Sequence, residues 1–207
     1  MPFVRERIEG TAQYRASGGE VARTLQDRPH KFRYTHTAKK NLVIIPSVSS
    51  ERRKYIPIGF LNQDAIVLHT AQVLYDPPPW IFAVVCSLMH MAWVRTVAGR
   101  LKTDLRYGSG LCYNTFPFPK ISSTQQAKLE EHVFNVLDQR EAFPELTLAN
   151  LYDPDKMPNA LSEAHKQMDL AVERCYRKKP FSSDEERLEY LFKLYETMIE
   201  EEKTASA

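Results

Sequence analysis

The chain has 207 residues, 43% of them hydrophobic and 11% aromatic, enough to bury the core of one large domain or two small ones and too much for a disordered chain. No run of about 18 apolar residues is present, so no membrane span is expected, and MPFVRERIEG lacks the apolar stretch of a signal peptide. The net charge of +2 conceals an asymmetry: residues 1–120 carry 17 Lys+Arg against 8 Asp+Glu, and residues 121–207 carry 11 against 18. Either the basic half faces a polyanion or the acidic half docks on it. Cys86, Cys112 and Cys175 are widely spaced and odd in number, which reads as reduced thiols in a cytoplasmic protein.

In chain order, the first 40 residues are polar and basic, with one short helix expected between Gly18-Gly19 and Pro29. Three strands are predicted at Asn41 to Ser47, Tyr55 to Leu61 and Ala65 to His69. All are rich in β-branched residues, and Pro46 and Pro57 move theirs toward edges or bulges. Pro79 opens a helix whose apolar positions Val84, Val85, Leu88, Met91, Ala92 and Val97 recur at helical spacing, ending near Arg100. The linker LKTDLRYGSGLCYNTFPFP follows, extended by its prolines, with Phe116 and Phe118 expected to bury.

The last third reads as three amphipathic helices. Ser123 with Gln126 and Ser183 with Glu186 fit capping boxes. The apolar faces hold Leu129, Val133, Val136 and Leu137; then Leu161, Ala164, Met168, Ala171 and Cys175; then Leu188, Leu191, Tyr195, Met198 and Ile199. The expected fold is α+β: a small mixed or antiparallel sheet with a central helix over residues 1–120, then a helical subdomain over 121–207.

Catalytic motifs are weak. Amino-group DNA methyltransferases use Asn/Asp/Ser-Pro-Pro followed by an aromatic to hold the target amino group and stack on the flipped base. Asn114 is followed by Thr115 and Phe116, and in DPPPW (Asp76 to Trp80) the aromatic arrives one place late. No glycine-rich turn accompanies either. The histidines form no cluster with metal-ligand spacing, and the one Glu-x-Lys lies in the polar tail. No catalytic, metal or cofactor site is therefore expected.

What remains is a basic, aromatic surface. Arg52, Arg53 and Lys54 fall in a loop between strands; Arg95, Arg100, Lys102 and Arg106 fall at the end of a helix and just beyond. Such cations neutralise phosphates or read guanine edges, and at a helix C-terminus they also complement its dipole.

Three segments, SSERRKYIPIGFL, SLMHMAWVRTVAGRLKTDLRYGSGLCYNTFPFP and LYDPDKMPNALSEAHKQMDLAVERCYRKKPF, resemble the C-terminal part of the MmeI-like, type IIL restriction–modification proteins, from about Phe32 onward. The resemblance implies a target recognition domain and helical tail, reading double-stranded DNA for an adenine-specific methyltransferase whose catalytic domain, and any endonuclease, lies upstream. It implies S-adenosylmethionine as cofactor of the parent enzyme and none here. It further implies that Lys102 and Asp104, a charged pair after the central helix, read one base pair: lysine donates to guanine, aspartate accepts from cytosine N4. Arg52, Arg53, Lys54, Arg95, Arg100 and Arg106 are then backbone or groove contacts, and Ser50, Tyr107, Tyr113 and Asn114 are further contact candidates. Two other readings stand beside this one: a protein-interaction module docking through its acidic helices, and a degenerate methyltransferase using DPPPW.

Overall fold

In the computed structural model, which describes residues 1–205, the chain opens with a helix not expected from the sequence. It is α1, Pro2–Ala16, with Pro2 in the first turn, where its missing N–H is no loss. None of its residues is buried. Arg15 ties its end to the following segment, donating to the carbonyls of Leu25, Arg28 and Lys31 at 3.0, 2.8 and 2.9 Å. The expected short helix is α2, Glu20–Arg23.

The first strand, β1 (Asn41–Pro46), lies where expected, but it is central rather than an edge. Pro46 sits at its last residue, where the ladder loses least. After β2 (Val48–Ser49), the expected second strand starts late: Tyr55 to Ile58 is buried irregular chain, and β3 is Gly59–Asn62. The third expected strand is misplaced. Ile66 and Leu68 are exposed in loop and turn, and β4 is Ala71–Tyr75. Antiparallel pairing gives a sheet of order β3-β1-β4.

The predicted central helix is two helices, α3 (Pro79–Val85) and α4 (Leu88–Val97), bent by 55°. Ser87 makes the break: its Oγ donates to the Val84 carbonyl at 2.7 Å and accepts from the His90 N–H at 3.3 Å, so it closes one helix and caps the next. The linker is not extended. Gly99–Leu101 (β5) and Asp104–Arg106 (β6) form a hairpin, and β6 also pairs with β2, giving a second sheet of order β2-β6-β5. Ser109–Tyr113 is a π-helical turn. The helical third comprises α5 (Ser123–Glu141), the short unanticipated α6 (Leu148–Leu151), α7 (Asn159–Tyr176) and α8 (Asp184–Ala205). The capping box of α5 is one residue earlier than expected, on Ser122 and Gln125. At α8, the Glu186 N–H donates to Ser183 Oγ at 3.2 Å, while its carboxylate turns back to the N–H and hydroxyl of Ser182, both at 2.7 Å.

Side chains from both sides of residue 120 form one core, in which Phe82, Trp93 and Phe116 pack with Leu129, Met168 and Leu191. Phe60 of β3 stacks on Phe82 with centroids 4.8 Å apart, seating the first sheet on α3. Trp93 of α4 meets Phe192 and Tyr195 of α8 at 5.2 and 5.5 Å. Buried polar groups cross this core in pairs. Asp169 of α7 accepts from the Tyr55 hydroxyl at 2.6 Å and the Leu88 N–H at 2.8 Å. Arg140 of α5 donates to the Ile58 carbonyl at 2.9 Å and to the Tyr152 hydroxyl, which also bonds His165. Glu173 accepts from Arg187 of α8 at 2.6 Å.

Candidate nucleic-acid interface

The two basic clusters, 40 to 50 residues apart in sequence, meet at the second sheet. β2 delivers the chain into the loop of residues 50–54, and β6 returns beside it, with Val48 opposite Arg106. Arg95, in the last turn of α4, donates from Nη2 to the Arg53 carbonyl at 3.2 Å. Arg100 of β5 lies 3.9 Å from Glu51 and donates to the Thr103 carbonyl at 3.2 Å, bracing the hairpin.

Their environments divide the cations. Arg52 pairs with Asp155 at 2.8 Å in an exposed contact, and this raises its pKa. Arg95 pairs with Asp184 at 3.1 Å. Arg53 is half-buried and donates to the Ala149 carbonyl at 3.3 Å. These three join the basic half to the acidic half, Arg52 and Arg95 by ion pairs, so part of the charge asymmetry is neutralised internally. Lys54, Lys102 and Arg106 are exposed and form no ion pair among the described residues. They are the members of the set best placed to meet an external anion.

Lys102 and Asp104 are not neighbours on one face of an extended segment, as the sequence suggested. Lys102 and Thr103 form the two-residue turn of the hairpin, with Leu101 opposite Asp104, and Lys102 has φ 57°. Left-handed backbone is costly for a residue with a Cβ, and such positions concentrate at functional sites. Both residues therefore sit at the tip of a projecting hairpin, Lys102 exposed and Asp104 half-exposed. Leu101, 53% exposed beside them, was not singled out from sequence; a side chain of this kind can touch a thymine methyl.

The further candidates separate. Ser50 is half-buried, and its Oγ accepts from the Arg52 N–H at 3.4 Å. Tyr107 is 2% exposed with its hydroxyl 3.0 Å from His90 Nε2, so it is part of the core and not a contact. Tyr113 packs edge-on against Phe118 at 5.2 Å, whereas Asn114 is exposed. Phe116 is buried and Phe118 packs against the core, as expected. Asp76 of DPPPW has φ 51° and accepts from the backbone N–H groups of Lys39, Lys40 and Asn41, bonds that lower its pKa. Its carboxylate is thus engaged in holding the entry to β1. Among the described residues, no three His, Cys, Asp or Glu side chains come together as a metal site, and no single helix is long and apolar enough to cross a membrane.

The family described as MmeI, target recognition domain, matches residues 1–120, and that described as MmeI, C-terminal domain, matches residues 121–201. The chain is 46% identical over 200 residues to DNA methyltransferase A of Bacillus subtilis (strain 168), covering 96% of this chain and 23% of that protein. It superposes with a TM-score of 0.90 on the solved structure of the type IIL restriction-modification enzyme MmeI in complex with DNA, at 36% identity, covering 97% of this chain and 27% of that one. The chain thus spans about a quarter of the length of these relatives.

Proposed function

The chain belongs to the family of MmeI target recognition and C-terminal domains, and on that premise we propose that it reads double-stranded DNA as the recognition module of a longer adenine-specific DNA methyltransferase polypeptide. The observation that carries the reading is the convergence of the 50–54 loop and the 99–106 hairpin, with Lys102 at the tip in left-handed backbone. A two-stranded ribbon fits the major groove of B-DNA. Lys102 and Asp104 then read one base pair from the tip, while Lys54 and Arg106 neutralise phosphates and fix register. Arg52, Arg95 and Arg100 support the loop and hairpin through their present partners and add to the local field. Asn114 and Tyr113 are peripheral contacts at most.

The chemistry of methyl transfer belongs, in this reading, to the rest of the polypeptide. Residues present here do not fit S-adenosylmethionine: no glycine has positive φ, and no glycine-rich turn follows a strand. The cofactor is accordingly assigned to the upstream domain, and the compartment to the cytoplasm, where a DNA-modifying enzyme meets its substrate.

Binding of the 207-residue chain to a labelled duplex, followed by fluorescence anisotropy across a salt series, tests the proposal. Each phosphate contact contributes about −0.9 to the slope of log affinity against log salt. A slope of zero, or no binding at low salt, overturns it.

A further inference from the structure

A second cationic surface lies at β4, the edge strand of the first sheet. Residues 33–36, 67–69, 71–73 and Tyr75 line an open groove of about 780 Å3. Arg33 lies in it with Tyr34, His36, His69 and Tyr75, and Lys31 and Lys40 flank it in sequence. Lys31, Arg33 and Lys40 are exposed and have no ion-pair partner among the described residues. Asp76, the acid adjoining Tyr75, is occupied by three backbone N–H groups.

We propose that this groove holds a sugar–phosphate strand of the same DNA duplex, outside the base pairs read by the hairpin. The inference rests on the reading of the chain as a duplex-DNA binder. What the groove offers suits a backbone better than a stacked base. Arg33 already lies over the Tyr34 ring at 5.1 Å, and His36 meets Tyr75 edge-on at 4.4 Å, so the ring surfaces are partly taken. The Tyr34 and Tyr75 hydroxyls have no hydrogen-bond partner among the described residues, leaving donors and cations for phosphate oxygens. The groove also adjoins the hairpin. Ala71 pairs with Pro46, Val48 pairs with Arg106, and Gln72 Nε2 donates to Ser47 Oγ at 3.4 Å. Two strand spacings and two residues of extended chain amount to at most about 16 Å between Ala71 and Arg106, at the base of the hairpin. That separation lies well within one duplex turn of about 34 Å.

The test compares the 207-residue chain with a variant carrying Lys31→Ala, Arg33→Ala and Lys40→Ala, each binding a mixed-sequence duplex over a salt series. The expected result is a slope shallower by about 2.7, three contacts at about 0.9 each. An unchanged slope overturns the groove while leaving the DNA-binding reading intact. Acetylation of lysines in the unaltered chain, read by mass spectrometry with and without duplex, does not depend on how the variant folds. Protection of Lys31 and Lys40 together with Lys54 and Lys102 supports the proposal. Protection of Lys54 and Lys102 alone overturns it, and protection of none overturns the underlying reading as well.

Discussion

The Tyr55 hydroxyl donates to Asp169 Oδ2 at 2.6 Å inside the core. Tyr55 ends the basic loop, and Asp169 lies on α7, so one buried hydrogen bond fixes the 50–54 loop to the helical tail. Tyr55→Phe leaves that carboxyl oxygen buried without its donor, with an expected loss of about 1–3 kcal/mol of stability by urea denaturation. Combining it with Asp169→Ala gives less than the sum of the two single losses, because each change removes the same Tyr55–Asp169 bond. Strict additivity would show that the pair does not act as a unit.

Stability is expected to rise with pH in mildly acidic solution. Burial pushes His90 and His165 down to about 3, Arg140 adding to the effect at His165, and partial burial lowers His132. The unfolded chain protonates its histidines near pH 6.5 while the folded one does not, so their contribution is present above about 6.5 and is lost as pH falls. Asp169 acts oppositely. Burial pushes it up to about 7, so its contribution is complete below about 4 and is lost as pH rises to about 7. Two deeply buried histidines outweigh one aspartate, so the folded state binds fewer protons than the unfolded chain and stability rises with pH between roughly pH 4.5 and 6. Urea midpoints across that range measure it. Asp169→Asn should steepen the dependence, and a flat profile in the unaltered chain would contradict the assignment.

Lys102→Gly is expected to stabilise the chain by about 0.5–1 kcal/mol, because glycine adopts positive φ without the Cβ penalty. The same change should weaken duplex binding by removing a cation from the hairpin tip. Thermal denaturation and anisotropy on one protein sample read both effects. A variant that gains stability and keeps full affinity would remove Lys102 from the interface.

Reversing donor and acceptor at the tip tests base readout directly. On the function proposed above, Lys102→Glu with Asp104→Arg, introduced into the longer polypeptide that would carry this chain, is expected to change the preferred base at one position of the recognised sequence, to C in place of G. About 1–3 kcal/mol of discrimination is at stake. Sequencing the methylated sites gives the answer, and an unaltered recognition sequence at full activity would exclude the pair.

The helical tail was the most legible part of the sequence because its signals are local and periodic. Leu129, Val133 and Val136 bury as their spacing predicts, and the capping box moved by one residue only because Ser122-Ser123 and Gln125-Gln126 offer two registers. The strands were harder. Ala65 to His69 is an apolar run that lies in exposed loop and turn, while Gln72 interrupts the real β4 and breaks its alternation. The hairpin carrying Lys102 was hidden because its turn is Lys-Thr rather than a glycine-containing pair. Residue identities at the candidate site were thus readable, but their geometry was not. The meeting of the 50–54 loop with the hairpin depends on β2–β6 pairing across more than 50 residues. The break at Ser87 lacked the glycine or proline that would have announced it.

The shared core has a consequence for how specificity can be transplanted. Cutting and rejoining two relatives at residue 120 would separate Phe82 and Trp93 from Met168 and Leu191, which pack as one unit. The hairpin is different. All three residues of β5 are exposed, and in β6 only Leu105 is buried. A chimera exchanging residues 99–106 would therefore disturb one buried side chain. If the tip reads bases as proposed, sequence preference could be exchanged there without opening the core.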